Sequence, residues 1–314
     1  MASILIIKLS ALGDVVQADG AIRDIREHHP DDYITVMTTA PYRRFMEKCP
    51  WVDDVFIDPR ASRFNVAELL RLRRRLRKLG VEKVYDLQQV GRTRFYYRWV
   101  FPKVEWCGDV PGCTVYLQRN EATTCAPEHF ASHLGLAGVT VRHTLQTDVS
   151  WMAAPVDHIL ADAGLAPGYI VLFPGASAAH QIKRWPYFQE LAGRLQEHGK
   201  QVVTIPGPDE IDLCRSIPGT TLAPEGGFYD FFVLAGIVRH AAYGIGNDTG
   251  PTHIAANMGC PGLALYSGHA SPETTGIQHT SFAWLESEKL EDLSVDTVLE
   301  HVLARTSVPG REKI

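Results

Sequence analysis

The chain has 314 residues, a formal net charge of −5, 45% hydrophobic and 21% charged content. That length suits about two domains with ample core, and the acidic balance argues against wholesale nucleic-acid binding. No stretch approaches the ~20 apolar residues of a membrane span, and the first residues turn polar too soon for a signal peptide, so the expectation is a cytoplasmic protein. The six cysteines form no close CxxC pair, which fits reduced thiols rather than a metal centre.

In chain order, the first strand is predicted over residues 4–9, ending in Ser10-Ala11-Leu12-Gly13-Asp14, with a helix over 15–27. Strands follow at 33–38 and 55–57, with a short helix at 41–48 between them. A strong helix at 67–79 sets Leu69, Leu72, Leu76 and Leu79 in one stripe, with Arg71, Arg73, Arg74, Arg75, Arg77 and Lys78 on the rest of its surface. A strand at 83–87 precedes a less regular stretch, 106–149, that holds a helix around 128–136. From Tyr169 the pattern restarts. Strand 169–173, loop 174–186, helix 187–198, strand 201–205, a further helix after 206–210, helix 228–240, strand 241–245, helix 254–258, strand 263–266 and a tail helix at 295–305 are expected. Strands alternating with helices predict an α/β fold with parallel sheets covered on both faces. The division is expected at 1–155 and 156–314, and the tail helix is left free to return to the N-terminal half. Ligands on doubly wound sheets bind beyond the carboxyl ends of the strands, where loops 10–14, 174–183 and 246–250 all fall.

The most informative stretch is Gly246-Asn247-Asp248-Thr249-Gly250-Pro251-Thr252-His253, between an apolar strand and a helix start. Free amides at a helix N-terminus suit a phosphate, and glycines let the backbone approach it. Asp248 and His253 add a carboxylate and an imidazole. Simple capping by Asp248 or Thr249, with Pro251 just inside, is the competing explanation; it leaves both glycines and the histidine unexplained. In 173–186, Phe173-Pro174-Gly175-Ala176-Ser177 suits the same close approach, and Lys183 supplies a mobile positive charge; plain solvation of Lys183 and Arg184 is the alternative. Asp209 and Glu210 stand where a carboxylate could accept ribose hydroxyls, or merely face a helix dipole. Asp14 serves either as a turn and cap carboxylate or as a general base. Arg60, Arg63, Arg92 and Arg94 are read as loop residues suited to gripping phosphate or carboxylate. Two motifs are absent: GxGxxG after the first strand, which disfavours an NAD-type site, and Asp-x-Asp, the metal signature of many sugar-nucleotide transferases.

Residues 10–14, Asp86-Leu87-Gln88, Phe173–Pro186 and Gly246–His253, in this order and spacing, resemble glycosyltransferase family 9, the bacterial heptosyltransferases of lipopolysaccharide core synthesis. The resemblance implies a GT-B architecture: two Rossmann-like domains whose parallel sheets face a central cleft, acceptor on the first domain and nucleotide sugar on the second. It implies Asp14 as catalytic base of an inverting transfer. Ser177, Lys183, Glu210 (with Asp209 as rival), Asp248, Thr249, Gly250 and His253 would bind the donor, and Arg60, Arg63, Arg92 and Arg94 an anionic glycolipid acceptor. ADP-heptose is the default donor, with no metal or other cofactor required. Tyr266-Ser267-Gly268 replaces the usual Phe-Gly-Pro loop, and 177–182 is poor in hydroxyls, which leaves another sugar open. Competing readings are a nucleotide-sugar-binding protein without turnover and a transferase acting on a protein or polysaccharide. The basic 71–78 helix adds the expectation of peripheral contact with the inner membrane.

Overall fold

Short, wholly apolar runs such as Ile4-Leu5-Ile6-Ile7 and Ile170-Val171-Leu172-Phe173 can satisfy their backbone only inside a sheet covered on both faces, and both are fully buried central strands. The computed structural model describes residues 1–62, 64–101, 103–118, 124–176, 183–268, 271–277 and 281–306. The chain divides into two compact units, Met1–Asp148 and Val149–Ile314.

In the first unit, β1 (Ser3–Ile7), β2 (Tyr33–Thr38), β3 (Asp54–Ile57), β4 (Lys83–Asp86), β5 (Glu105–Gly108) and β6 (Val115–Tyr116) form a parallel sheet in the order β3-β2-β1-β4-β5-β6. Its helices are α1 (Leu12–Gln17), α2 (Asp19–His28), α3 (Arg43–Lys48), α4 (Val66–Lys78), α5 (Gly91–Trp99) and α6 (Ala126–Leu136). Leu72 and Leu76 of α4 join Leu5, Ile7, Val84, Tyr96 and Trp106 in the core. Asn65 caps α4 by accepting the Glu68 N–H at 3.2 Å.

The second unit repeats the plan. It contains α7 (Asp157–Asp162), β7 (Ile170–Phe173), α8 (Phe188–Glu197), β8 (Val202–Thr204), α9 (Ile211–Arg215), β9 (Thr220–Thr221), α10 (Phe231–Arg239) and β10 (Tyr243–Asn247). These are followed by α11 (Gly250–Asn257), β11 (Gly262–Ser267), α12 (Pro272–Thr275), β12 (Phe282–Ser287) and α13 (Val295–Thr306). The strand order is β12-β11-β10-β7-β8-β9, again all parallel. The tail helix α13 stays within this unit. Val295, Val298, Leu299 and Val302 pack with Leu191 and Leu195 of α8.

Several elements differ from the sequence expectation. The helix expected over 15–27 is two helices meeting at Ala18. The helix α5 lies where a loop was expected; it buries only Thr93 and Tyr96, too few residues to print an apolar stripe. Strands β5, β6, β9 and β12 were not foreseen. The first three are two to four residues long, and β12, at the sheet edge, buries only Phe282 and alternates half-buried with exposed positions after it. Strand β10 runs two residues further than expected, so Asn247 belongs to the strand and not to the loop.

Candidate functional sites at the strand-order reversals

In each unit the strand order reverses beside its first strand, β1 next to β4 and β7 next to β10, the position at which doubly wound sheets take their ligands. The reversal in the second unit is built around a buried side chain. The Asn247 amide accepts the Trp185 N–H at 3.0 Å and donates to the carbonyls of Pro174 at 3.0 Å and Gly175 at 3.2 Å. It therefore ties the loop after β7 to the end of β10. Gly246 is required there, because a Cβ would lie 2.3 Å from Thr252 Oγ1 and 2.8 Å from Phe173 Cβ.

Helix α11 begins at Gly250 with Thr249 as its N-cap in extended backbone, and no side chain caps it. The capping explanation of Asp248 and Thr249 therefore fails. The amides of Gly250 and Thr252, at the positive end of the helix dipole, have no acceptor within the helix, and Pro251 has no N–H to satisfy. Asp248 turns instead to Lys183, whose Nζ donates to Oδ2 at 2.6 Å, and to His253, whose Nε2 lies 3.3 Å from Oδ1. Burial alone would raise the Asp248 pKa; His253 and Lys183 outweigh it and hold the carboxyl below its ordinary range. Asp248 is thus an anion at neutral pH. Its contribution to stability is present above the ordinary carboxylate range and lost as pH falls through the depressed value.

Glu210 stands at the start of α9, after β8. Its Oε2 accepts the Gly207 N–H at 2.9 Å, and a Cβ at Gly175 would fall 1.9 Å from its Oε1. The loops after β7 and β8 therefore meet at this carboxylate, whose pKa burial raises. Its neighbour Asp209 has the left-handed φ of 61°. Ser177 lies outside the described residues.

The first unit holds a second, separate cluster at the end of β1. The loop after β4 holds the loop after β1 through Gln88, whose Oε1 accepts from Leu9 N at 2.8 Å and Ser10 N at 3.0 Å. Asp14 is the third residue of α1; its Oδ2 accepts the Ala11 N–H at 3.2 Å and lies 3.8 Å from Lys8 Nζ. The Lys8 side chain is 4% exposed and that of Asp14 46%, so a half-open carboxylate rests over a buried cation. Tyr42 faces the same point, its phenol pKa raised by burial and then by the charge of Asp14. Arg60, at a left-handed φ of 54°, donates from Nη2 to Ser10 Oγ at 3.0 Å.

The remaining arginines are differently placed. Arg92 and Arg94 sit on α5 and not in a loop. Arg92 donates to Tyr96 Oη at 2.7 Å and lies 3.5 Å from buried Asp58, to which Tyr96 donates at 2.9 Å. Arg94 grips Asp109 with two bonds, at 3.2 and 2.5 Å. Both are therefore engaged internally. Arg63 lies outside the described residues. Lys8 and Asp58 were missed in the sequence, and Gln88 and Asn247, though inside the motifs, were given no role there. The readable signal for Lys8 was a lone cation ending an apolar strand, and for Asn247 a polar residue closing one.

Beneath Gln88, Asp86 Oδ1 accepts the N–H groups of Gln88 at 3.1 Å and Gln89 at 2.9 Å. Burial pushes its pKa up to about 6. The native state therefore holds a proton between about pH 4 and 6 that the unfolded chain has released, and this contribution is lost as pH rises through 6. Asp86→Asn should remove that slope. Relative to the parent, the variant is expected to gain about 2 kcal/mol between pH 4.5 and 7.5, measured by urea unfolding at both pH values. An unchanged difference between the two proteins would contradict the shifted carboxyl.

Among the described residues one group, Asp24, Glu27 and His143, has metal-ligand spacing. Asp24 already accepts the N–H groups of Arg142, His143 and Thr144 and the Thr144 hydroxyl, which fastens segment 142–144 to α2.

Comparison with known proteins places these features in context. The sequence model of glycosyltransferase family 9 (heptosyltransferase) matches residues 118–302. Lipopolysaccharide heptosyltransferase 3 of Escherichia coli is 32% identical over 279 residues, covering 81% of this chain and 80% of that protein. A family 9 glycosyltransferase from Veillonella parvula superposes with a TM-score of 0.82 at 20% identity, covering 97% of each chain. The Escherichia coli heptosyltransferase WaaC, solved with ADP-2-deoxy-2-fluoro heptose, gives a TM-score of 0.74 at 18% identity over 96% of this chain and 99% of that one.

Proposed function

The chain belongs to glycosyltransferase family 9, and on that premise we propose that it moves heptose from ADP-heptose to a lipopolysaccharide core acceptor, with inversion at the anomeric carbon. It is a glycosyltransferase with two Rossmann-like units of the GT-B kind. The observation that carries the donor assignment is the uncapped start of α11 beside the Lys183–Asp248 pair.

The diphosphate is assigned to the amides of Gly250 and Thr252, to the Thr249 segment, and to Lys183. Asp248 holds the Lys183 ammonium beside that helix end before any ligand arrives. His253, on the next turn, supports the same carboxylate. Ser177 is assigned to the diphosphate and Glu210 to the nucleoside hydroxyls. On the acceptor side, Asp14 takes the proton of the acceptor hydroxyl as its oxygen attacks the anomeric carbon and the bond to ADP breaks. Negative charge grows on the leaving diphosphate, where fixed donors stabilise the transition state more than the ground state. In this reading amides, a lysine and a dipole meet that charge without a dedicated cation. Arg60 and Arg63 are assigned to anionic groups of the acceptor. Arg92 and Arg94 reach the acceptor only by exchanging the carboxylates they now hold. Such an acceptor is anchored in a bilayer, so the enzyme works at the cytoplasmic face of a membrane. No helix among the described residues is long and apolar enough to cross one.

The test is incubation with ADP-heptose and a heptose-accepting core fragment. The expected result is release of ADP with a mass gain of one heptose on the acceptor. ADP-heptose binding without acceptor-dependent ADP release would overturn transfer, and turnover only with another nucleotide sugar would overturn the donor. A narrower expectation concerns Glu210. Gly175→Ala should push the carboxylate aside and weaken ADP binding about tenfold, read by titration calorimetry. Unchanged affinity would remove Glu210 from the nucleoside site.

A further inference from the structure

Helix α4 carries six basic side chains against the single Glu68, in a chain whose net charge is −5. Two of the six are spent on packing. Arg73 lies over the Trp99 ring at 5.1 Å and Arg75 over Phe56 at 4.7 Å. Leu69, Leu72 and Leu76 define the buried stripe. At 100° per residue the opposite face presents Leu70, Arg71, Arg74 and Lys78, with Arg77 at its margin and Glu68 turned to the flank. Among the described residues none of Arg71, Arg74, Arg77 and Lys78 has a carboxylate partner. Leu70, Arg74, Arg77 and Lys78 also line an open depression of about 380 Å³. At the N-terminal end of the same helix, large apolar side chains stand in water: Phe64 is 95% exposed, Val66 63% and Leu70 52%. Three large apolar side chains exposed at one helix end, beside basic ones without carboxylate partners, go beyond the singly scattered exposure that needs no explanation.

We propose that this face docks on an anionic phospholipid bilayer. Arg71, Arg74, Arg77 and Lys78 would contact headgroup phosphates while Phe64, Val66 and Leu70 enter the headgroup–acyl boundary. Charge complementarity and the adjoining apolar side chains select a lipid surface over a free anion, because a soluble phosphate gives Phe64 nothing to bury against. The surface deepens the functional reading, on which it rests only for the acceptor's location, and the vesicles used to test it contain no acceptor sugar. Helix α4 spans about 20 Å, long enough for its four outward charges to meet several headgroups at once.

The test is flotation of the full chain with phosphatidylglycerol–phosphatidylcholine vesicles and with phosphatidylcholine vesicles. Binding is expected to the anionic vesicles alone and to weaken as salt shortens the screening length. The combined variant Arg71→Gln, Arg74→Gln, Arg77→Gln, Lys78→Gln should lose about fivefold in affinity per charge removed. Phe64→Ser should weaken binding at any salt concentration. Transfer to a soluble core fragment should be unchanged in both variants. Equal flotation of parent and quadruple variant, or none by the parent, would overturn the proposal. Displacement by inorganic phosphate beyond that by chloride at matched ionic strength would overturn it in favour of a small-anion site. Loss of transfer with vesicle binding intact would count against the functional reading and leave the docking surface standing.

Discussion

Asp14→Asn is expected to lower the turnover rate about 10³-fold, within the range that a positioned general base contributes, while ADP-heptose affinity is unchanged. The substitution keeps the volume and an oxygen that can accept the Ala11 N–H, so α1 keeps its start. It removes the negative charge that rests 3.8 Å from Lys8 and the lone pair that would take the acceptor proton. Steady-state kinetics with a core acceptor, together with calorimetry of the donor, check the two halves of the claim. Activity within tenfold of the parent would move the base elsewhere. Lost donor binding would mean that Asp14 serves the nucleotide sugar and not the alcohol.

Lys183→Ala is expected to reduce kcat/KM by about 10²–10³, the cost of removing one fixed donor from a developing negative charge. Donor binding should weaken as well, because the ammonium meets the diphosphate in the ground state too. Lys183→Arg should recover part of the binding and little of the rate, since a planar guanidinium does not reproduce the compact charge that Asp248 now holds at 2.6 Å. The variant also leaves buried Asp248 with one cationic partner fewer. The stability cost is expected near 2 kcal/mol, below that of breaking a fully buried pair because the Lys183 side chain is 28% exposed. Thermal unfolding with and without ADP separates the two effects. The apo shift reports the ion pair, and the loss of ligand-induced stabilisation reports the diphosphate contact. Full ADP stabilisation in Lys183→Ala would contradict the assignment.

The two parallel sheets were legible in the sequence because their central strands are buried on both faces and print unbroken apolar runs, as Ile170–Phe173 does. Edge elements were not, since β6 and β9 have two residues each and carry no period. The Gly246–His253 motif was legible as a strand-to-helix junction because strand, glycine and helix signals coincide within eight residues. The partners of Asp248 were not, because Lys183 is 65 positions away in sequence and only the fold brings it near. For the same reason the arginines misled: residue type and loop position suggested exposed grips, whereas Asp58 and Asp109 had already engaged Arg92 and Arg94. Local chemistry is written locally, and which groups end up neutralised depends on chain segments far apart.

Every contact described above for Lys183, Asn247, Asp248 and Glu210 is made within Val149–Ile314, and every contact of the Asp14 cluster within Met1–Asp148. On the proposed assignment of the sugar to the second unit and the alcohol to the first, the two specificities are written in separate stretches of chain, and recombination at the unit boundary is a direct route to new pairings.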